Sequence, residues 1–301
     1  MQSHTEATSA SRGLQPARTS ARPEGRGSGN VRGDLVITEE YQTLLRANGL
    51  ITLGALFSRT NGERLDKPGL DSWRQRRRLT LDDHGTPRTF YLKRFLEPPA
   101  WALRAMRRSG SGASSLAGNE WEWARRLAHD GIPCVQAVAY GEELRGSRER
   151  RSAILTAGVS GESLERWAVQ WCNADRCTIQ RLLTATAALI SRLHGQGYIH
   201  RDLYLSHVFY DPSLPIERAL RLIDLQRVLR PRLRFRRWVV KDLASLNFST
   251  PLCLVTRTDR VRWLRQYLGI EKLDASARRL VYRVVGKTQR IAEREQAKDH
   301  R

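Results

Sequence analysis

The chain has 301 residues, of which 40% are hydrophobic and 28% charged, an ordinary composition for a protein that buries a core. Its formal net charge is +21, and its 52 basic residues divide into 6 Lys and 46 Arg. Such a charge indicates an anionic partner without choosing between nucleic acid, anionic lipid and a phosphorylated sugar. The four cysteines show neither CxxC spacing nor a zinc-binding pattern with His, which excludes a zinc-finger site and favours reduced thiols.

The N-terminal region, residues 1–34, is rich in Ser, Arg, Gly and Pro and lacks apolar periodicity. This composition predicts a disordered basic tail. The tail has no apolar segment of the secretory type, and no apolar run in the chain approaches the ~20 residues that span a bilayer. We therefore expect a cytoplasmic protein, and peripheral contact with a membrane is left open.

The predicted elements of residues 35–157 are mostly strands. In chain order they are a hairpin of strands 76–81 and 89–95 with its turn at 82–85, a helix over 119–129, and strands at 135–140 and 152–156. Gly131 and Pro133 end the helix.

The character of the chain becomes helical over residues 158–301, after a glycine-containing connection at 157–162. Thr178 is a candidate cap for a long helix that ends near Gly195. Lys241 and Asp242 are predicted to start another helix, and further helices follow residue 256. The pattern predicts an α+β fold in which a small strand-rich lobe joins a larger helical lobe.

Two carboxylates follow the long helix in a characteristic order. His200-Arg201-Asp202 comes directly after it, and the short apolar strand Leu222-Ile223 then ends in Asp224. Phosphoryl transfer needs one carboxylate to accept the proton of the attacking hydroxyl and another to hold Mg²⁺ against the phosphates. Taken separately, Asp202 is equally explained as a loop cap and Asp224 as a turn former at a strand end.

Two further charged residues lie upstream, where a phosphate-binding Lys and its partner Glu are needed. Lys93 lies on a predicted strand and is one of few lysines in an Arg-rich chain. Glu120 is predicted in the first turn of the next helix, with Glu122 as a rival. A solvated Lys and a helix-terminal acid are the ordinary explanations of each residue alone. The conjunction of all four in this order indicates a phosphotransfer site.

On these residues the chain resembles the lipopolysaccharide core kinase family, the heptose and Kdo kinases with a protein-kinase-like fold. The matching segments lie within about residues 50–255 and are Tyr91-Leu92-Lys93, Asn119-Glu120-Trp121, Gly131-Ile132-Pro133, Ala139-Tyr140-Gly141-Glu142, His200-Arg201-Asp202 through His207-Val208-Phe209, Ile223-Asp224-Leu225, Lys241-Asp242-Leu243-Ala244 and Phe248-Ser249. The resemblance implies a kinase that uses ATP and Mg²⁺ to phosphorylate a sugar hydroxyl of the lipopolysaccharide inner core, on the cytosolic face of the inner membrane.

The same resemblance implies roles for individual residues. Asp202 would be the catalytic base, with His200 and Arg201 of its motif counted as catalytic. Asp224 would be the metal ligand. Lys93 would contact the nucleotide phosphates with Glu120 as its partner.

The sequence departs from protein kinases at two points. No G-x-G-x-x-G loop precedes Lys93, and the nearest candidate is the turn at 59–62. His207 stands where protein kinases have a metal-binding Asn, and imidazole is a poor ligand for Mg²⁺. His207 is therefore either a second metal ligand, since the family tolerates His here, or a structural residue.

Two basic segments are candidates for contacts with the acceptor and the membrane. Arg232, Arg234, Arg236 and Arg237 could grip the carboxylates and phosphates of an anionic glycolipid, or form a solvated charged run. Residues 101–108 mix aromatic, apolar and cationic side chains, which is typical of contact with an anionic membrane or of a surface helix.

Three alternative functions remain at this point. A kinase of this fold can act on another acceptor, including protein, because the fold does not choose the substrate. The missing glycine loop and His207 suit a non-catalytic scaffold. Nucleic-acid binding is supported by charge alone and disfavoured because the chain has no recognisable nucleic-acid-binding motif.

Overall fold

The computed structural model describes residues 35–65, 71–170 and 175–299, which belong to one compact unit. The predicted tail at 1–34 lies outside the described residues. Within these ranges no helix is both long and apolar enough to cross a membrane. Cys134, Cys177 and Cys253 are free thiols.

A six-stranded antiparallel sheet forms most of the N-terminal part. Its strands are β1 (Val36–Ile37), β2 (Glu63–Arg64), β3 (Arg74–Asp83), β4 (Thr86–Leu96), β5 (Ala137–Arg145) and β6 (Arg148–Ala157). They lie in the order β1-β5-β6-β4-β3-β2. Helices α1 (Gln42–Ala47) and α2 (Leu53–Ser58) pack their buried leucines against one face of this sheet.

The predicted hairpin is confirmed as β3 and β4, with a tighter turn than expected. Asp83 pairs with Thr86, so His84 and Gly85 alone form the turn. Both have positive φ, 52° and 84°, which matches the twist of a two-residue hairpin turn. Because side chains alternate along a strand, buried Leu92 faces α1 and α2 while Lys93 faces the opposite side.

The opposite face of the sheet is covered by α4 (Leu116–His129), preceded by the short α3 (Ala100–Arg107). Helix α4 starts three residues earlier than predicted because Ser115 caps it, its Oγ accepting a hydrogen bond from the Gly118 N–H at 3.0 Å. Glu120 therefore lies in the second turn and not the first. Its carboxylate is buried against the sheet, with 1% exposure.

The C-terminal part is helical, and the α+β fold class is confirmed. It contains a small antiparallel sheet of β7 (Glu162–Ser163), β8 (Val208–Tyr210) and β9 (Leu220–Leu222), and helices α5 (Leu164–Gln170), α6 (Arg176–Gly195), α7 (Phe235–Ser249), α8 (Arg257–Leu268) and α9 (Ala275–Asp299). The helices expected after residue 256 are α8 and α9.

Two further predicted helix starts, both in the C-terminal part, were wrong. Asp175 and not Thr178 caps α6, since its carboxylate accepts hydrogen bonds from the N–H groups of Cys177 and Thr178. Helix α7 begins at Phe235, so Asp242 lies inside it. In both places several residues suit the helix start, and tertiary packing decides between them.

One hydrophobic core runs through both parts of the protein. On α4, Trp123 is fully buried and contacts the ring of Tyr198 edge-on, with 6.0 Å between the ring centroids. Tyr198 lies two residues before His200 in the sequence. This core crosses the lobe boundary expected at 157/158, and that boundary stays a prediction. Helix α4 is consequently fixed to both parts, which matters because it carries Glu120.

The N-terminus of α4 is anchored by a buried carboxylate, Glu149 of β6. Glu149 is fully buried, accepts a hydrogen bond from the Leu116 N–H at 2.9 Å and another from the Ser152 hydroxyl. Burial raises the pKa of Glu149 to about 7 despite these bonds. A carboxyl whose pKa is 4.5 unfolded and about 7 folded binds its proton more tightly in the native state.

Replacing Glu149 with Gln is therefore expected to stabilise the protein at pH 8 by up to roughly 3 kcal/mol, because the amide needs no ionisation. The destabilisation of the wild type by ionised Glu149 is present above pH 7 and disappears as the pH falls towards 4.5, the pKa of the carboxyl in the unfolded chain. Thermal unfolding of both proteins between pH 5 and 8 measures the difference in their stability. A difference that does not change with pH would contradict the prediction.

Candidate active site

Lys93, Glu120 and Asp224 converge at the junction of β4, α4 and the segment after β9. The Lys93 Nζ donates hydrogen bonds to the two Glu120 carboxylate oxygens at 2.7 and 3.0 Å. It also donates to Asp224 Oδ1 at 2.8 Å. The side chains are 13%, 1% and 22% exposed, so solvent screens these ion pairs weakly. Glu122, the rival of Glu120, instead pairs with Arg126 on the helix surface.

The charges in this cluster hold each other ionised. Burial lowers the pKa of Lys93, but Asp224 and Glu120 more than compensate, and the net pKa lies above its ordinary value. Burial likewise raises the pKa of Asp224, while Lys93 and Arg76 outweigh it and hold that pKa far below its usual range. Arg76 lies opposite Lys93 on β3, with its guanidinium 3.9 Å from Asp224. Asp224 is thus an anion at any physiological pH.

Asp224 adopts a left-handed backbone conformation, with φ 57° and ψ 61°. This conformation is uncommon outside glycine and persists where neighbouring contacts enforce it. The adjacent Gln226 supplies them: its carbonyl accepts from Asn119 Nδ2 on α4 at 2.8 Å, and its side-chain oxygen accepts from Arg74 on β3 at 2.7 Å. These bonds direct the Asp224 carboxylate towards Lys93.

The His200-Arg201-Asp202 loop is held by Asp242 in the interior of α7. The buried Asp242 carboxylate accepts hydrogen bonds from the N–H groups of His200 at 2.7 Å and Arg201 at 2.8 Å. Arg201 also has a left-handed backbone, φ 71°, and its carbonyl accepts from Lys241. Asp242 therefore braces the loop through two backbone hydrogen bonds.

Asp202 faces two cations at the entrance to the site. Its Oδ1 accepts from Arg227 at 2.8 Å and lies 3.8 Å from Lys241 Nζ, and the side chain is 17% exposed. Burial lowers the pKa of Lys241 to about 8, helped by Arg227 and Arg201 and opposed by Asp202. The carboxylate is thus oriented from one side and remains accessible to solvent.

His207 connects the two carboxylate segments. Its Nδ1–H donates to the Asp202 carbonyl at 2.7 Å, and its Nε2 lies 3.9 Å from Asp224 Oδ2. With the proton on Nδ1, the Nε2 lone pair is directed to the side of Asp224. His200 is fully buried, donates from Nε2 to the Ile223 carbonyl at 3.0 Å, and has its pKa lowered by burial, so it links the two segments as a neutral ring.

The donor set can be tested against Mg²⁺, which usually takes one or two carboxylates plus phosphate oxygens and water. Asp224 supplies an ionised carboxylate, and His207 Nε2 lies 3.9 Å from its Oδ2. In the described ranges no three His, Cys, Asp or Glu residues are grouped as a metal site. The residues fit an ion held largely by a nucleotide's phosphates and do not form a dedicated protein cage.

The predicted substrate arginines lie at the start of α7. Arg232, Arg234, Arg236 and Arg237 are all exposed, and Arg234 precedes the helix with a left-handed φ of 57°. The segment 101–108 forms α3, whose Leu103 and Met106 pack into the core. Trp101 remains 58% exposed beside Arg104. The surface-helix interpretation is thus seen directly, and the membrane contact stays a prediction.

Sequence reasoning assigned no role at the carboxylates to three cations that surround them: Arg76, Arg227 and Lys241. Arg76 and Arg227 cannot be distinguished by type from the other 44 arginines. Lys241 offered a signal, because lysine is scarce and the argument applied to Lys93 also applies to it. The turn at 59–62, proposed to cover phosphates, is held by Arg77, which donates to the Thr60 carbonyl at 2.6 Å.

Comparison with known proteins gives a consistent result. Residues 104–267 match the model of the lipopolysaccharide kinase (Kdo/WaaP) family, a range that includes Glu120, Asp202 and Asp224. The lipopolysaccharide core heptose(I) kinase WaaP of Pseudomonas aeruginosa is 33% identical over 156 residues, which span 49% of this chain and 58% of the relative. WaaP of Escherichia coli K12 is 31% identical over 191 residues, 60% of this chain and 72% of the relative.

The fold comparison extends further along the chain. A solved structure described as WaaP in complex with acyl carrier protein superposes with a TM-score of 0.63 and 26% identity. It covers 86% of this chain and 98% of its own. The family match spans more than half of this chain, and the structural match includes both the sheet and the helical part. The chain therefore belongs to the lipopolysaccharide kinase (Kdo/WaaP) family.

Proposed function

We propose that this protein is an ATP- and Mg²⁺-dependent kinase that phosphorylates a sugar hydroxyl of a lipopolysaccharide inner core. The observation that carries the proposal is the Lys93–Glu120–Asp224 cluster, connected through His207 to the loop that bears Asp202. This arrangement supplies a phosphate-binding ammonium, a metal-binding carboxylate and a separate, accessible base. The names of the matched relatives support the choice of acceptor.

In this proposal, Lys93 binds nucleotide phosphate oxygens and Glu120 keeps its ammonium in place. Asp224, with His207 beside it, would hold Mg²⁺, and the ion would supply positive charge against the nucleotide phosphates. Glu120 is buried, so it cannot leave Lys93 for solvent when a nucleotide enters. The ammonium can then exchange its contact with Asp224 for one with phosphate.

Asp202 accepts the proton of the attacking sugar hydroxyl. Arg227 donates to Oδ1 and orients the carboxylate, and the Lys241 ammonium beside it would stabilise negative charge that develops on the transferred phosphoryl group. His200 and Arg201 act by position: His200 ties the loop to the Ile223 carbonyl, and the Arg201 guanidinium lies over the Trp238 ring at 5.2 Å. We place the enzyme in the cytoplasm, peripheral to the inner membrane, with an anionic glycolipid as its partner.

A second partner is suggested by the solved relative, which is a complex with an acyl carrier protein. The helical part of this chain contains an apolar cavity of about 490 Å³, lined by α5, α6, α7, α8 and α9, with Leu182, Leu254 and Val284 among its walls. Arg257 and Arg260 also line it. We propose that this cavity takes the acyl chain of such a carrier, with the exposed Arg257 facing its phosphorylated arm.

Asp202→Asn is expected to reduce phosphotransfer from labelled ATP to a dephosphorylated inner-core glycolipid by about 10²- to 10⁴-fold, the usual contribution of a general base. Its ATP affinity should remain, because Asp202 is outside the Lys93 cluster. Asp224→Asn is expected to weaken Mg²⁺-dependent ATP binding itself. Label transfer and equilibrium nucleotide binding separate the two effects.

The matched control is Asp211→Asn, a loop carboxylate that accepts from Ser213 at 3.0 Å and should behave as wild type. Full activity of Asp202→Asn would exclude the mechanism. Failure of the wild type to bind ATP would favour the scaffold alternative, and label on added protein instead of glycolipid would favour another acceptor.

Lys241 is expected to give the reaction an alkaline limit. The ammonium is present below its pKa of about 8 and lost above it, so kcat/KM should fall as the pH rises from 7 to 9. Lys241→Met should be slower throughout and lack this fall, and Lys272→Met, at an exposed position, should keep it. An unchanged alkaline limb in Lys241→Met would show that another group titrates.

The acyl chain proposal predicts a preference for a loaded carrier. A palmitoyl-loaded acyl carrier protein is expected to bind at least about tenfold more tightly than the unloaded form, since each buried CH₂ contributes ~0.8 kcal/mol. Leu183→Trp, which narrows the cavity, should remove the preference, and Leu144→Trp on the β5–β6 hairpin should keep it. Calorimetric titration measures both; equal affinities for the two carriers in wild type would refute the role of the cavity.

A further inference from the structure

A recess between α7 and α9 is lined by fourteen residues, of which seven are cationic. It has a volume of about 950 Å³, within the range of ligand-binding clefts. Besides Lys241, its basic residues are Arg236, Arg237, Arg283, Lys287, Arg290 and Arg294. Among the described residues that line it, Glu293 is the one carboxylate. We call this recess the α7–α9 groove.

The two helices that form the groove are firmly joined. Asn247 Nδ2 on α7 donates to Thr288 Oγ1 on α9 at 3.0 Å, and the Thr288 hydroxyl also lies 3.4 Å from the Ala244 carbonyl. The spacing of the cationic side chains is thus fixed by two packed helices. Gly286 lies in the wall of the groove, and a Cβ placed there would meet nothing within 4 Å, so this glycine leaves space open.

Most cations of the groove lack a carboxylate partner. Within the described part of the chain, Lys241 pairs with Asp202, whereas the other six arginine and lysine side chains that line the groove form neither an ion pair nor a side-chain hydrogen bond. The pKa of Lys287 is lowered by partial burial and by the charges of Arg294, Arg290 and Arg237. Like charges held this close repel each other, and a bound polyanion relieves that repulsion.

The groove and the catalytic loop share one residue, Lys241. It lines the groove, its Nζ lies 3.8 Å from Asp202 Oδ1, and it donates to the Arg201 carbonyl. Trp238, also in the wall, carries the Arg201 guanidinium over its ring. A ligand bound along α9 can therefore contact Lys241, the cation beside the carboxylate that we assign as the base.

We propose that the α7–α9 groove binds the carboxylates and phosphates of an acidic saccharide acceptor and presents a hydroxyl of that saccharide to Asp202. This inference rests on the proposed kinase function and adds the acceptor site to it. The planar guanidinium group of arginine binds carboxylate and phosphate with two parallel hydrogen bonds, and acidic sugars carry these groups. A flat anionic membrane would reach the rim of a recess but not its walls.

The sequence analysis did not predict that residues of α9 contribute to this site. Arg236 and Arg237 were candidates there, but Arg283, Lys287, Arg290 and Arg294 lie beyond residue 267, where the family match ends. Arg232 and Arg234, the other two candidates, are not among the residues that line the groove.

The test compares charge reversal inside and outside the groove. With an acidic inner-core oligosaccharide released from its lipid, the double variant Lys287→Glu/Arg290→Glu should raise the acceptor KM at least about tenfold and leave the ATP KM within about twofold. Gly286→Leu, which fills the recess without changing charge, should also raise the acceptor KM. The matched control Arg145→Glu/Arg148→Glu reverses two exposed charges on the β5–β6 hairpin and should match wild type.

Binding without turnover separates this inference from the kinase proposal. Calorimetric binding of the same oligosaccharide to Asp202→Asn protein should be lost when Lys287→Glu/Arg290→Glu is added, whether or not the wild type shows phosphotransfer. An unchanged KM and unchanged binding would overturn the proposal, as would an equal loss in the hairpin control. Loss of binding to phosphatidylglycerol vesicles with retained oligosaccharide binding would assign the groove to a lipid surface and overturn it too.

Discussion

The site depends on one ion cluster that joins distant parts of the chain. Lys93 on β4 holds Glu120 on α4 and Asp224 after β9 in hydrogen bonds of 2.7 to 3.0 Å. Taking such charges out of water costs several kcal/mol each unless they are paired, so removing any member leaves an uncompensated charge. Two carboxylates face one ammonium, and Arg76 at 3.9 Å from Asp224 supplies the second positive charge. The cluster therefore fixes α4 relative to the sheet and Asp224 relative to both.

Backbone strain in the catalytic segments is stabilised by the same kind of contact. Arg201 and Asp224 both have positive φ, 71° and 57°, a conformation that costs of order 1–3 kcal/mol for such residues. Asp242 offsets it at Arg201 by accepting two backbone N–H groups, and Asn119 and Arg74 hold the segment after Asp224. Arg201 directly precedes the Asp202 carboxylate, and Asp224 itself carries the second one. The strain and the brace together set the direction of both carboxylates.

Sequence reasoning succeeded where the signal was local and failed where it depended on packing. The β3–β4 hairpin follows from alternation, and the order of Lys93, Glu120, Asp202 and Asp224 is a property of the chain itself. Helix starts at Ser115 and Asp175 were missed by a few residues because neighbouring residues can also serve as caps. The roles of Arg227 and of the α9 side of the groove were missed because one arginine among 46 carries no distinguishing pattern, and only the fold brings it to a carboxylate.

The distribution of lysine gives an independent argument about the cleft. Three of the chain's six lysines, Lys93, Lys241 and Lys287, lie at Asp224, at Asp202 and in the α7–α9 groove. A general bias towards arginine would replace lysine wherever a solvated positive charge suffices. A compact ammonium, in contrast, can donate to two carboxylates in a narrow space, and its pKa responds to burial as that of arginine in practice does not. Lys272 is exposed, but Lys93, Lys241 and Lys287 mark positions where charge is confined, and these three positions lead from the carboxylate assigned to the nucleotide site to the proposed acceptor site.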